Sequence, residues 1–404
     1  MPAISVVIPV YNAAPFMREA LDSLLAQTCG DFEAIAVNDG STDNSLEILQ
    51  EYAARDSRIR ILDGPNGGYG KAMNRGMDAA TGKYMAILEP DDYLPREAYS
   101  ILLPLAEEHR LDVVRGTHCS FYEEAGKREY RYMIPLRRTG EVFCPRNELP
   151  GVFEFYPSIW TGLYSLSFLR KHGIRFHESP GASYQDTGFF FLTNAYAERY
   201  MISDEVAYIY RTDNPNSSIN NIGPKKAALM WEYEFIRDEL KKKPDMWAVL
   251  KEQFVCSRYD GVLWVCSHIS RQEIDNFLRW LSSNISDWTS SIPLVPPNYR
   301  RRMEALLAGE SNVPLVIQRR LLGGLLNVSM SARETRYSVF CVPLLRRRQV
   351  PVPQKLKSGI VVEADIVNEY LVMGMIVKRV PLPRSAARSS SPCVVPPPPH
   401  KNGE

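Results

Sequence analysis

No apolar run in this 404-residue sequence reaches the roughly 18 to 20 residues that a membrane-spanning helix needs, so a helical integral membrane protein is not expected. The seven cysteines are odd in number and scattered without a C-x-x-C pair, which argues against a zinc ribbon or a redox couple and for a reducing compartment. The six histidines show no H-x-x-x-H or H-E-x-x-H grouping, so a histidine zinc site has no support. Charge of one sign is also lacking: 48 Lys plus Arg face 47 Asp plus Glu, leaving no global field to recruit nucleic acid. The phosphate-cradling sequences are missing too. There is no G-x-x-x-x-G-K-[ST], and "PVYNAAP" stands behind the first strand in place of G-x-G-x-x-G. "GLYSLSF" is no G-x-S-x-G elbow, which removes the usual serine hydrolase signal. The opening "MPAISVVIPVYN" lacks a basic leader and a small-residue cleavage site and reads as a buried first strand. The expected location is the cytoplasm, with at most peripheral contact at the inner face of the membrane.

What is present is alternation. Over the first hundred or so residues, short β-rich runs alternate with helical patterns, the signature of an α/β fold with a mainly parallel sheet flanked by helices. "ISVVIPV" (4–10), "FEAIAVN" (32–38), "IRIL" (59–62) and "YMAIL" (84–88) are four strands, with Asn44 and Glu47 spaced as a capping pair for the second helix. Ligands of an open parallel sheet bind outside the carboxyl ends of its strands. Behind these four strands come Tyr11 and Asn12, then Asp39, then a glycine-rich loop, then Glu89-Pro90-Asp91-Asp92. One polar rim is expected.

Each of these constellations admits two readings. "AILEPDDYL" (86–94) crowds three carboxylates that repel one another without a counter-ion. It is either a solvated turn or a seat for Mg²⁺ or Mn²⁺, which take one or two protein carboxylates and fill up with phosphate oxygens and water. "VNDGSTDNS" (37–45) fails as a calcium loop because Asn44 and Gln50 stand where the turn glycine and the bidentate glutamate belong. Asp39 is then either a turn residue or an acceptor for a nucleobase or ribose. In "GPNGGYGKAMNRG" (64–76), Lys71 and Asn74 can point at a diphosphate near a helix N-terminus. "SYQDTGFFF" (183–191) sets Asp186 against aromatics, either as a helix cap or as a carboxylate whose burial makes it a better base near neutral pH.

Taken in series, "SVVIPVYNAAPFMREALDSLLAQT", "VNDGSTDNS", "NGGYGKAMNRGMDAATGKYMAILEPDDYL" and "SYQDTGFFF" resemble the family 2 glycosyltransferases over roughly residues 3–220, about half the chain. The resemblance implies a GT-A fold and an inverting, nucleotide-sugar-dependent hexosyl transfer. It implies that Pro9, Tyr11 and Asn12 flank the base and ribose, that Asp39 reads uracil, and that Lys71 approaches the diphosphate. It places Glu89-Pro90-Asp91 where the family has its metal-binding D-x-D, with Asp91 also on the nucleotide-sugar side, and Asp186 where it has the catalytic base. Trp160, in "IWTGLYSLSFLRKHGIRF" (159–176), falls in the acceptor segment and would stack on a sugar face. "YRTDNPNSSI" (210–219) resembles the segment that closes over the donor phosphates. This sequence departs from the pattern in three places: Glu89 for Asp, Asn38 before Asp39, and Gln185 before Asp186.

The expected organisation is a glycosyltransferase domain over 1–220, with a nucleotide-sugar half to about 110 and an acceptor half over 111–220. A helical region over 221–330 follows, with Ala228, Trp231 and Phe235 as a packing face, then a small β-rich region over 331–382 and a disordered tail over 383–404. The expected partners are a nucleoside diphosphate sugar, most simply a UDP-sugar, and a saccharide or lipid-linked saccharide acceptor, as in bacterial surface polysaccharide synthesis. Basic runs at 346–348 and 377–379 follow apolar stretches and suit either an anionic bilayer or the solvated ends of a small sheet. The alternative from another class is a catalytically silent sugar-nucleotide binding or scaffold protein of the same fold.

Overall fold

The computed structural model describes residues 1–124, 127–132, 139–148, 150–154, 157–215, 226–285 and 300, and beyond them only the backbone of strands between 317 and 381. The chain divides into two compact units, Met1–Ser120 with Met133–Val313, and Phe121–Tyr132 with Pro314–Glu404.

The first unit begins with four βα-type steps: β1 (Ile4–Val10), α1 (Met17–Leu25), β2 (Phe32–Asp39), α2 (Ser45–Arg55), β3 (Ile59–Gly64), α3 (Tyr69–Ala79), β4 (Tyr84–Ile87) and α4 (Ala98–Glu108). Strands run parallel in the order β3-β2-β1-β4, with Ile4 beside Phe32 on one flank and beside Tyr84 on the other. All seven residues of β1 are buried. That explains why it reads as an apolar run broken only by Ser5, whose hydroxyl donates to Glu33: helices cover both faces of a parallel sheet. Pro9 lies beyond the last β1–β4 pair, Val7 with Ile87, and so sits in a central strand where the β4 flank no longer pairs.

Beyond β4 the sheet becomes mixed. After β5 (Val113–Glu124), which belongs to this unit as far as Ser120, β6 (Lys127–Tyr132), which belongs to the second unit, α5 (Pro145–Glu148) and short 3-10 turns at Pro150–Glu154 and Ile159–Thr161, β7 (Gly162–Ser165) inserts antiparallel between β4 and β5. Then come α6 (Leu166–His172), α7 (Gln185–Tyr196) and β8 (Tyr200–Arg211), which pairs with β5. Three further helices are described in this unit: α8 (Lys226–Lys241), α9 (Pro244–His268) and α10 (Arg271–Asn284). The expected α/β architecture and the helical segment are both present.

Two local expectations are corrected. In α8 the buried residues are Leu229, Met230, Tyr233, Ile236 and Leu240, whereas Trp231 is 47% exposed. The packing face is therefore rotated from Ala228–Trp231–Phe235, and it takes the buried Glu232 with it. At α2, Asn44 is the cap residue but makes no side-chain cap bond. Asp43 does that work, accepting the Ser45 N–H at 3.0 Å and the Ala14 N–H at 3.1 Å. The capping box appears instead at α10, between Ser270 and Glu273.

In the second unit, β9 (Ile317–Leu321), β10 (Leu326–Met330), β11 (Thr335–Val339), β12 (Val342–Lys355), β13 (Val361–Val372) and β14 (Met375–Pro381) pair antiparallel in sequence order. The two similar β-rich stretches fall on the β11–β12 and β13–β14 pairs. Strand structure starts at 317, before the expected boundary at 331. The tail at 383–404 lies outside the described residues, as do the side chains of the two basic runs.

Candidate functional site

The parallel pairing brings the ends of β1 to β4 to one rim. The order 3-2-1-4 also makes the gap between β1 and β4 the topological switch point, where an open sheet offers its crevice.

On the β1–β2 side the loops are laced together by hydrogen bonds. Asn12 has φ 51°, an uncommon left-handed conformation that Asn tolerates better than most residues. From it, Oδ1 accepts the Thr42 N–H at 2.7 Å, while its own N–H donates to Ser41 Oγ at 3.1 Å. Asp39 is buried at the end of β2, and its two oxygens accept the N–H groups of Gly67 and Gly68, each at 2.9 Å. The carboxylate thus clasps the glycine-rich loop immediately before α3. Gly68 has φ 88°, which a side chain would oppose. Tyr11 stands 53% exposed at the edge of this surface.

Lys71 is exposed on α3, with its stem over Gly67. Asn74 faces the other way, and here the structure corrects the sequence reading. Its buried amide donates to the Phe176 carbonyl and to Glu178 Oε1, at 3.0 and 2.9 Å, and accepts the Phe176 N–H at 3.0 Å. Both amide donors and the carbonyl are engaged in holding residues 176–178, so none is left for a diphosphate. At Gly70 the same segment comes so close that an added Cβ would lie 1.9 Å from the His177 carbonyl oxygen.

The β4 side is acidic. Glu89, Asp91 and Asp186 are enclosed by protein yet retain some solvent access, while Asp92 is buried. Burial first, opposed by a hydrogen bond from Tyr69 and reinforced by the charges of Asp91 and Asp186, pushes the Glu89 carboxyl up to about 8. The Tyr69 hydroxyl donates to Glu89 Oε1 at 2.6 Å. Asp186 occupies the first turn of α7, where Tyr184, not Asp186, is the cap residue. Burial pushes its carboxyl up to about 7 and the nearby Glu232 adds to the rise, against the Thr187 N–H that bonds Oδ1 at 2.9 Å. Asp92 is raised well above the usual carboxylate range by burial and by Asp91. Its Oδ1 accepts the Arg211 N–H at 2.7 Å, and Oδ2 is buried without a hydrogen-bond partner.

Residues far away in sequence fasten this turn. Arg211, at the end of β8, donates from Nε to the Asp91 carbonyl at 2.9 Å and from its guanidinium to Glu19 at 2.8 Å, and stacks over Phe16. Asn214 donates to Asp91 Oδ2 at 2.8 Å. The Tyr208 hydroxyl accepts the Glu89 N–H at 3.0 Å. Of "YRTDNPNSSI", residues 216–219 lie outside the described residues. Sequence reasoning missed Tyr69, Tyr208, Arg211, Asn214 and Glu232. A local signal was available for Tyr69, inside the glycine-rich stretch, and for Arg211 and Asn214, inside the closing segment; Tyr208 and Glu232 had none.

Trp160 is a second correction. Only 8% exposed, it stacks on Tyr208 and Tyr210 with centroids 4.3 and 5.3 Å away, and meets His118 edge-on. Its ring is an internal layer with little face left for a sugar.

Among the described residues, no group of three or more His, Cys, Asp or Glu side chains forms a metal cage. A hard cation shared with a diphosphate requires only one or two protein carboxylates. Glu89 stands in the repulsive fields of Asp91 and Asp186, which a cation would relieve, so Glu89 and Asp91 fit as the donors for such an ion. No helix among the described residues is long and apolar enough to cross a membrane.

A mixed α/β sheet with carboxylates at the switch point defines a GT-A fold. The model described as Glycosyl transferase family 2 matches residues 5–168. Glycosyltransferase GlyG of Streptococcus pneumoniae serotype 4 (strain ATCC BAA-334 / TIGR4) is 31% identical over 218 residues, 52% of this chain and 70% of that one. The chain belongs to the family 2 glycosyltransferases. It is also 36% identical over 222 residues to the "Uncharacterized glycosyltransferase EpsJ" of Bacillus subtilis (strain 168), covering 54% of this chain and 63% of that protein. Among solved structures, S. aureus TarS 1-349 in complex with UDP-GlcNAc aligns with a TM-score of 0.48 and 17% identity, over 84% of this chain and 97% of that one.

Proposed function

We propose that this protein is a metal-dependent, inverting hexosyltransferase that moves a sugar from a nucleoside diphosphate sugar, with UDP preferred, to a hydroxyl of a saccharide or lipid-linked saccharide. The observation that carries the reading is Asp186. A partly accessible carboxyl with its pKa at about 7 beside the acidic turn is poised to accept a proton near neutral pH.

In this reading the acceptor oxygen attacks the anomeric carbon from the Asp186 side as its proton passes to the Asp186 carboxylate. The bond to the diphosphate breaks on the opposite face, which inverts the centre. Glu89 and Asp91 would hold Mg²⁺ or Mn²⁺, and such an ion supplies Lewis-acid neutralisation of the leaving diphosphate when bound. Lys71, reaching from exposed α3, adds a positive charge to the same oxygens. Pro9, Tyr11 and Asn12 border the base and ribose, with the exposed ring of Tyr11 offering a stacking face. Asp39 contributes from its clasped position, since each carboxylate oxygen has a lone pair beyond the one its glycine amide uses. Tyr69 keeps Glu89 oriented and eases its ionisation.

A thermal-shift screen of UDP-, GDP- and dTDP-sugars with Mn²⁺ or Mg²⁺ tests the donor, because a ligand that binds the native state raises the melting temperature by mass action. A metal-dependent shift with a UDP-sugar, followed by slow release of free sugar, is expected. Binding without turnover across a full acceptor panel would favour the catalytically silent alternative, and no shift with any nucleotide sugar would remove both.

A further inference from the structure

The family model ends at residue 168, yet a carboxylate from well beyond it reaches the back of the site. Glu232, on α8, has a fully buried side chain. Its Oε1 accepts from His177 Nδ1 at 2.8 Å and from Ser179 Oγ at 3.0 Å. Its Oε2 is buried with no hydrogen-bond partner. That second oxygen lies against α7 at Gly188, where an added Cβ would stand 3.0 Å from it. Gly188 is two positions after Asp186, so Glu232 presses on the helical turn that presents Asp186.

The bonds extend into the loop that precedes this turn. Ser179 Oγ accepts from Gln185 Nε2 at 2.9 Å, and the Gln185 side chain also binds the Gly181 carbonyl and the Ser183 N–H. On its other side the loop meets α3, where the Tyr69 N–H donates to the Gly181 carbonyl at 3.0 Å and His177 crosses Gly70. Residues 177–185 are therefore gripped between α8 and the helix that carries Tyr69 and Lys71.

We propose that Glu232 is a positioning residue for Asp186, holding the loop at 177–185 through His177 and Ser179 and setting the field on the first turn of α7. This rests on the reading of Asp186 as the base. The direction of the field agrees, since Glu232 raises Asp186. The other titratable groups whose charge couples to Asp186 are Glu89, Tyr69, Tyr184 and Tyr233. A buried carboxylate that only stabilised the fold would gain nothing from leaving one oxygen unpaired beside that turn.

The test is a double-mutant cycle on the full chain with Asp186→Asn, Glu232→Gln and both, followed by melting temperature between pH 5 and 8 without added metal. Glu232→Gln keeps the side-chain shape and a hydrogen-bonding oxygen while removing the charge. Asp186→Asn should raise the melting temperature at pH 8, and should raise it less in the Glu232→Gln background. With UDP-N-acetylglucosamine and UDP-glucose as donor probes, Glu232→Gln should lower kcat about tenfold, move its acid limb to lower pH and leave donor KM within twofold. Equal gains in both backgrounds, with Asp186→Asn inactive, overturn the positioning role alone. Retained turnover in Asp186→Asn overturns the base assignment and the positioning role with it.

Discussion

The two sides of the rim are built on opposite principles. Around Asn12, Asp39 and the glycine-rich loop, polar groups find partners within the protein, and the loops are fixed before any ligand arrives. Around Glu89, Asp91, Asp92 and Asp186, carboxyl groups are enclosed together, two of them pushed up to about 7 and 8, and one oxygen of Asp92 is left without a partner. The first side is preorganised and the second is electrostatically frustrated. The difference marks where geometry is finished by the chain alone and where it awaits charge from outside.

The hardest blow to the frustrated side is Asp186→Asn, which keeps the shape of the side chain and removes the proton acceptor. Turnover should fall by about 10² to 10⁴, the usual worth of a general base. Donor affinity, measured by calorimetry with a nucleotide sugar and Mn²⁺, should stay within about threefold. On the preorganised side, Asp39→Ala leaves the Gly67 and Gly68 N–H groups without their acceptor. Losing two charge-assisted bonds should cost about 3 kcal/mol of stability, and urea denaturation checks it.

The acidic side should also show itself through pH. Asp186 rises from 3.8 to about 7 and Glu89 from 4.5 to about 8, so between about pH 4 and 8 the folded state holds protons that the unfolded chain has released. Stability is therefore greatest at the acid end of this window and declines as pH rises through it, by about 1.4 kcal/mol per pH unit for each proton held. In EDTA the melting temperature should fall from pH 5 to pH 8, and Mn²⁺ should recover much of the loss at pH 8. A flat profile would show that the carboxylates are not frustrated. The mildest probe is Tyr69→Phe. Removing the hydroxyl that lowers Glu89 should weaken apparent Mn²⁺ affinity at pH 7 about threefold, with recovery by pH 9, whereas an unchanged affinity would leave Asp91 as the main ligand.

Much of this was legible in the chain because it rests on local pattern. Nearly continuous apolar runs such as β1 announce strands buried on both faces, and the residues behind them must then share a rim. What was illegible depends on which way a side chain turns, or on contacts between distant segments. Asn74 sits one helical turn from Lys71, yet it faces inward to Phe176 and Glu178. Trp160 looked like a sugar platform because its segment resembles the family's acceptor segment, but two tyrosines on β8 take its ring. Periodicity in α8 admitted more than one face, and tertiary packing chose the one that carries Glu232 inward.

Arg211 also imposes an order in time. Its guanidinium bond to Glu19 spans 192 positions, and its N–H reaches Asp92 across 119. Contacts of such separation are closed late, because the loop entropy between them must first be lost. During synthesis, the first four strands and their hydrogen-bonded loops can pair while the acidic turn still lacks its clamp. A chain that stops short of residue 211 would own the clasped loops around Asp39 and no restrained acidic turn, so the acidic side of the rim is complete only once β8 has arrived.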